Sequence, residues 1–177
     1  VHINAGVTAL VLSIVIGPRL KQTDHHDNQA LVLLGTAMLW LGWYGFNAGS
    51  ALAINDVAIQ AMLTTTVATA AAMVAWQGLE IFFKPNLTLV GSCTGALCGL
   101  VAITPATGYV TIVGALIIGA GASVISYWFV EFVKPKLKID DTLDAFGCHG
   151  VSGIWGSLAT GLFATSQINP AVVHNGL

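Results

Sequence analysis

Charged side chains are scarce in this chain: 6 Lys and Arg and 8 Asp and Glu in 177 residues, or 8%. A soluble domain carries about three times that share, so an ordinary water-facing surface is excluded. The net charge of -2 offers no basic stripe, which argues against nucleic acid as a partner. Cysteine is limited to Cys93, Cys98 and Cys148, which lack zinc-site spacing and fall in apolar segments, the setting of buried free thiols. No signal-peptide pattern precedes the first apolar run. The chain opens at Val1 inside that run and is expected to be an internal piece of a longer protein.

What fills the sequence instead is hydrocarbon. Hydrophobic residues make up 55%, and the mean hydropathy is +0.81. Charge-free runs cover 28–55, 57–79, 87–130 and 145–177. Each is long enough to cross a bilayer, and the third could cross twice. Punctuation divides the chain into about six transmembrane helices, expected at 1–17, 30–54, 57–83, 87–103, 109–133 and 145–164. Gly17-Pro18 closes the first, Lys84-Pro85 follows the third, Thr104-Pro105 splits the long run, and Lys134-Pro135 closes the fifth. Asp140, Asp141 and Thr142 offer caps for the sixth.

The charges agree with this count. Arg19 and Lys21 follow the first helix, Lys84 the third, and Lys134, Lys136 and Lys138 the fifth, so all fall on one side. By the positive-inside rule that side is the cytoplasm. The fold class is therefore an all-α, polytopic transmembrane bundle, with residues 1–177 forming a single transmembrane domain fragment in the cell membrane.

Small residues mark where helices meet. Gly91, Gly95 and Gly99 repeat GxxxG and allow close backbone approach. His149, Ser152, Gly153, Gly156 and Thr160 follow helical spacing and share one narrow face, suited to packing or to lining a pore. VHINAG at 1–6 weakly echoes CHGVSG at 148–153, with the two segments crossing in opposite directions. An inverted repeat with its site near the midplane would give such an echo.

Two histidines, His2 and His149, are the ionisable groups set deep in apolar runs, where such a group is by default a functional candidate. Neither has a second ligand at i+3 or i+4, so a metal is not expected. The loop cluster His25-His26-Asp27 reads as solvated, although it keeps an intramembrane metalloenzyme open as an alternative. A neutral imidazole carries one donor and one acceptor, so two in contact could pass a small polar molecule or a proton. Trp43, Phe46, Asn47 and Ser50 recur at i, i+3, i+4 and i+7. Their shared face offers aromatic rings to a cation and a hydroxyl lone pair to a donor; an aromatic belt with packing polar groups is the alternative.

GWYGFNAGS at 42–50 resembles the signature of ammonium transporters of the Amt/Mep/Rh superfamily, on the Amt side, and DDTLDAFGCHGV at 140–151 resembles the second signature. VHINA at 1–5 and Thr104-Pro105 fit in the expected order. The resemblance implies an eleven-helix, inverted-repeat protomer assembled as a homotrimer, of which this chain supplies the fifth to tenth helices. It implies that His2 and His149 are the twin pore histidines. Phe46 would be one of two stacked gating phenylalanines, and Ser50 the hydroxyl of the external ammonium site. Trp43 would be a pore-lining tryptophan, Thr104 a lumen-side threonine, and Asn47, Asp141 and Asp144 structural neighbours. It implies no cofactor and no metal, with ammonium or ammonia, the lipid bilayer and a cytoplasmic PII-type signal protein as partners. Ammonium would be captured outside, lose a proton, and cross as ammonia past the histidines. A sensor of the same fold, signalling to a cytoplasmic partner with little flux, is the alternative.

Overall fold

In the computed structural model, residues 1–20 and 28–177 are described. The helices are α1 (His2–Ile16), α2 (Gln29–Asn47), α3 (Asp56–Phe83), α4 (Leu89–Ile103), α5 (Ile112–Trp128), α6 (Lys134–Leu137) and α7 (Ser152–Phe163). A π-helical turn, Phe129–Val133, joins α5 to α6, and a second, Phe146–Val151, leads into α7. Side chains open four of these helices. Asn28 accepts from Leu31 N, Asn55 from Ala58 N, Thr88 from Gly91 N and Thr111 from Gly114 N. Each satisfies an amide that the helix itself leaves unpaired.

Among the described residues, three helical stretches are long and apolar enough to cross a membrane: Gln29–Ala51, Asp56–Phe83 and Ile112–Leu137. The expected first and fourth spans form apolar helices of 15 residues each, about 22 Å long at 1.5 Å per residue and shorter than a bilayer core. The expected sixth span is built from the second π turn and α7 together.

Two expected boundaries move. The second helix ends at Asn47, not residue 54, because Gly49–Ala51 tightens into a 3-10 turn and Leu52 takes a left-handed φ of 54°. The fifth does not close at Lys134-Pro135. Proline cannot donate an amide and its ring crowds the carbonyl four residues back. The widened π turn just upstream lies over that stretch, and the helix continues to Leu137.

Helix α3 is the centre, lying against both α4 and α5. Its Ala68 and Ala72 are fully buried. A Cβ on Gly95 would sit 2.7 Å from Trp76 Cβ, and one on Gly99 the same distance from Ala72 Cβ. The expected GxxxG stripe therefore meets α3 at backbone contact. Helix α4 also meets α7 closely: a Cβ on Gly156 would fall 2.7 Å from Ala102 Cα. Polar groups tie α5 to its neighbours: the buried Ser123 donates to Ala72 O of α3 at 2.6 Å, and the half-buried Trp155 of α7 donates its Nε1–H to Ile118 O at 2.9 Å. With no water to exclude between helices in lipid, such close packing and hydrogen bonds hold the bundle.

Arg19, Lys84 and Lys134 gather at one end. Arg19 pairs with Asp140 at 2.8 Å, Lys84 with Glu131 at 2.7 Å, and Lys134 with Asp144. At the other end, Thr165 N donates to Tyr109 O at 2.9 Å and Val110 bridges to Ala164.

Candidate functional site

The two histidines are brought together from distant parts of the chain. His2 lies in the first turn of α1, and His149 in the π turn before α7. Their rings stack at 5.6 Å and 27°, with the Nδ1 atoms 3.4 Å apart. Close backbone approach makes this possible: a Cβ on Gly6 would fall 2.5 Å from Gly150 Cα. The conformations around the two residues differ. His2 sits in regular helix, whereas the π turn changes the spacing from His149 to Ser152, so the expected straight face from His149 to Thr160 is broken at its first member. Beyond it, Gly153 packs on Ile3 and His2, and Gly156 on Ala102.

The π turn is held from below. Asp141 is buried and accepts Phe146 N at 2.7 Å, while the Asp144 carbonyl accepts Cys148 N at 2.8 Å. Lys134 binds both ends of this loop, reaching Asp141 O at 3.2 Å and the Asp144 carboxylate. Of the three expected caps, Asp141 performs that role, and Asp140 is engaged by Arg19. Lys134 carries no sequence signal beyond being a basic residue at a span end; its role depends on where the loop returns.

Aromatic side chains extend the histidine pair into a column. Trp43 stacks on His2 at 5.2 Å and 16°, and Phe46 contacts His2 and Trp43, each at 5.9 Å. Trp43 is buried and Phe46 exposed. Ser50 stands outside α2, in the 3-10 turn, where its hydroxyl donates to Phe46 O at 2.5 Å. The expected four-residue face is thus divided. Phe46, Asn47 and Ser50 line a cavity of about 150 Å³ with Thr104, Thr107 and Tyr109, whereas Trp43 and Phe46 line another beside His2. Thr104 also lines a cavity of about 240 Å³ with His2, Gly153 and Ser157.

The polar lining of the first cavity is biased toward acceptors. A hydroxyl has one proton and two lone pairs. Ser50 gives its proton to Phe46 O, Thr104 to Leu100 O at 2.8 Å, and Thr107 to Ala61 O at 3.0 Å. Asn47 presents Nδ2 to Thr65 Oγ1 at 2.9 Å, because the Thr65 proton is already directed at Ala61 O, 2.6 Å away. That fixes the amide and leaves Asn47 Oδ1 buried without a partner, as is His2 Nε2. Thr107 and Tyr109 were not singled out from sequence; their position just after Thr104-Pro105 was the available signal.

The sequence profile of the Ammonium Transporter Family matches residues 1–177. The chain belongs to that family. It is 49% identical over 168 residues to an ammonium transporter of Aquifex aeolicus, a match covering 95% of this chain and 40% of that protein. The structure of Saccharomyces cerevisiae Mep2 superposes with a TM-score of 0.89 and 33% identity, covering 99% of this chain and 42% of that one. A solved structure described as a sensor Amt protein also matches at 0.89 and 33%, covering 95% of this chain and 44% of that one. The chain spans about two-fifths of the length of the curated relatives it matches. As a member of the ammonium transporter family it is a multi-pass membrane protein with the all-helical fold of Mep2 and Amt structures.

Among the described residues, no three His, Cys, Asp or Glu side chains are gathered as metal ligands. The His25-His26-Asp27 cluster and Lys21 lie outside the described residues. Cys93, Cys98 and Cys148 are buried free thiols.

Proposed function

We propose that the full-length protein carries ammonium across the cell membrane, capturing it at the outer mouth and passing it as ammonia along His2 and His149. The stacked column of Trp43, His2 and His149, set in a chain with 8% charged residues, carries this reading. Desolvating a bare cation in a hydrocarbon interior costs on the order of tens of kcal/mol, whereas a neutral polar molecule costs only a few. A lumen lined by two neutral imidazoles and no carboxylate favours the neutral form.

Capture belongs to the aromatic faces of Trp43 and Phe46 and to the cavity that includes Ser50. Rings attract a cation through their quadrupole. The committed hydroxyl protons of Ser50 and Thr107 leave lone pairs for a guest rich in N–H donors. Ammonium has four such donors and a proton to lose; potassium has neither, which separates them without a size filter. Asn47, Asp141 and Asp144 act structurally: Asn47 holds α2 to α3, and the two aspartates set the turn bearing His149. The process involves no bond chemistry beyond proton movement, so the protein is not an enzyme. The basic end, with Arg19, Lys84 and Lys134, faces the cytoplasm. Assembly as a homotrimer, and a PII-type signal protein docking on the basic end, complete the proposal.

Likeness to the sensor Amt structure favours one second reading, an ammonium receptor that signals with little flux. The deciding experiment is ammonium-triggered current in proteoliposomes of the full-length protein, with potassium as control. Current with ammonium alone supports selective transport. Absence of both current and ammonium-driven internal pH change sinks transport and leaves the receptor.

A further inference from the structure

We propose that Thr104 is a positioning residue: its hydroxyl fixes the Trp43 indole as the surface on which His2 stacks. The proposal rests on the transport reading above and assigns Thr104 a role other than holding the passing molecule.

The Trp43 indole N–H donates to Thr104 Oγ1 at 2.9 Å, and Thr104 Oγ1 donates onward to Leu100 O at 2.8 Å. An indole has a single donor, and Thr104 takes it. The hydroxyl's one proton is spent on a carbonyl of the fully buried Leu100, so its side toward Trp43 is locked as an acceptor. The indole also packs in a buried cluster with Leu100 and Val101 of α4. One edge is bonded, and its ring plane lies 16° from that of His2 at 5.2 Å.

The position of His2 depends on this surface more than on its own hydrogen bonds. His2 Nε2 is buried with no partner, and its Nδ1 faces His149 Nδ1 at 3.4 Å, the long limit of a hydrogen bond. The ring is therefore oriented chiefly by stacking on Trp43 and by His149. Turning the indole would tilt His2 and open the gap between the two imidazoles. Thr104 follows the last turn of α4 and precedes Pro105, which ends the helix and fixes where the hydroxyl stands.

The test is a double-variant cycle in the full-length protein reconstituted into liposomes, with ammonium chloride as the probe and potassium chloride as comparison. T104V keeps the shape and removes the hydroxyl, T104S keeps the hydroxyl, and W43F removes the indole N–H. The expected result is a roughly tenfold lower maximal ammonium flux in T104V with KM within about twofold, and recovery in T104S. T104V/W43F should be no worse than W43F alone, and the Trp43 emission, taken as wild type minus W43F, should shift in T104V. A T104V loss that adds fully to that of W43F, or that falls on KM alone, overturns positioning and makes Thr104 a direct ligand. If T104V does not fold, T104C, whose thiol is a weak acceptor, gives a graded form of the same comparison. A wild type without ammonium flux would defeat the transport reading instead, while the emission of Trp43 in T104V still decides the role of Thr104.

Discussion

The imidazoles of His2 and His149 stack 5.6 Å apart although 147 residues separate them along the chain. Two neutral rings with facing Nδ1 atoms can share one proton, so one must present a protonated and the other a bare Nδ1. His149→Ala breaks that pairing. In the full-length protein it should reduce the preference for ammonium over potassium by at least about tenfold, measured as the current ratio under matched gradients. An unchanged ratio would rule out a relay through the pair.

Glu80 is fully buried on α3 and receives two bonds from Thr88, from the amide at 2.9 Å and the hydroxyl at 2.7 Å. Thr88 at the same time caps α4 by accepting Gly91 N. Thr88→Ala removes the cap and one donor to a buried carboxylate together, an expected loss of about 1–2 kcal/mol. Thr88→Ser should retain nearly all of the stability. Thermal melting in detergent compares the two, and equal melting of both variants would contradict this account.

The α4 glycines leave little room for a side chain. Gly99→Ala would place a methyl 2.7 Å from Ala72 Cβ and 2.8 Å from the carbonyl oxygen of Ala68. Since the nearest atoms include backbone, α3 must move, and overpacking of this kind costs about 1–3 kcal/mol. Yield of folded protein by size-exclusion chromatography, together with its melting temperature, should fall. A variant that melts with the parent would show that α3 and α4 are not so tightly joined.

Arg19 grips Asp140 through its side chain at 2.8 Å and its backbone amide at 2.7 Å. Those hydrogen bonds hold the Asp140 carboxyl below the ordinary carboxylate range. A depressed folded value means the contribution is fully present above the unfolded carboxylate pKa of about 4 and is lost as pH falls through the folded one. Asp140→Asn should therefore lower the melting temperature near neutral pH, with the gap to wild type narrowing in strong acid. A gap of the same size at both ends of a pH series would count against the ion pair.

Most helices were legible because hydrophobic run length and Gly or Pro punctuation are local properties, and lipid forces a buried backbone into helix. Asn55 and Thr88, in the connections on either side of α3, open helices within two residues of the expected starts. The errors fell where local signals compete. Lys134-Pro135 looked like a stop, but the π turn at Phe129–Val133 absorbed it. Ser50 looked like the next step of the α2 face, but the 3-10 turn displaced it. The π turn at Phe146–Val151 left no mark in residue type, since what holds it is Asp141, Asp144 and Lys134 meeting in space.

The sequence alone determined that this is a helical membrane bundle and roughly where its helices lie, and it singled out His2, His149, Trp43 and Phe46 as candidate site residues. Each of these follows from hydropathy, from spacing, or from a signature written in consecutive residues. Only the tertiary structure decided that His2 and His149 touch, that Thr104 takes the Trp43 proton, and that Gly6 meets Gly150. Those are contacts between residues up to 147 positions apart. They depend on how closely small side chains let the helix backbones approach, a distance that residue order does not encode.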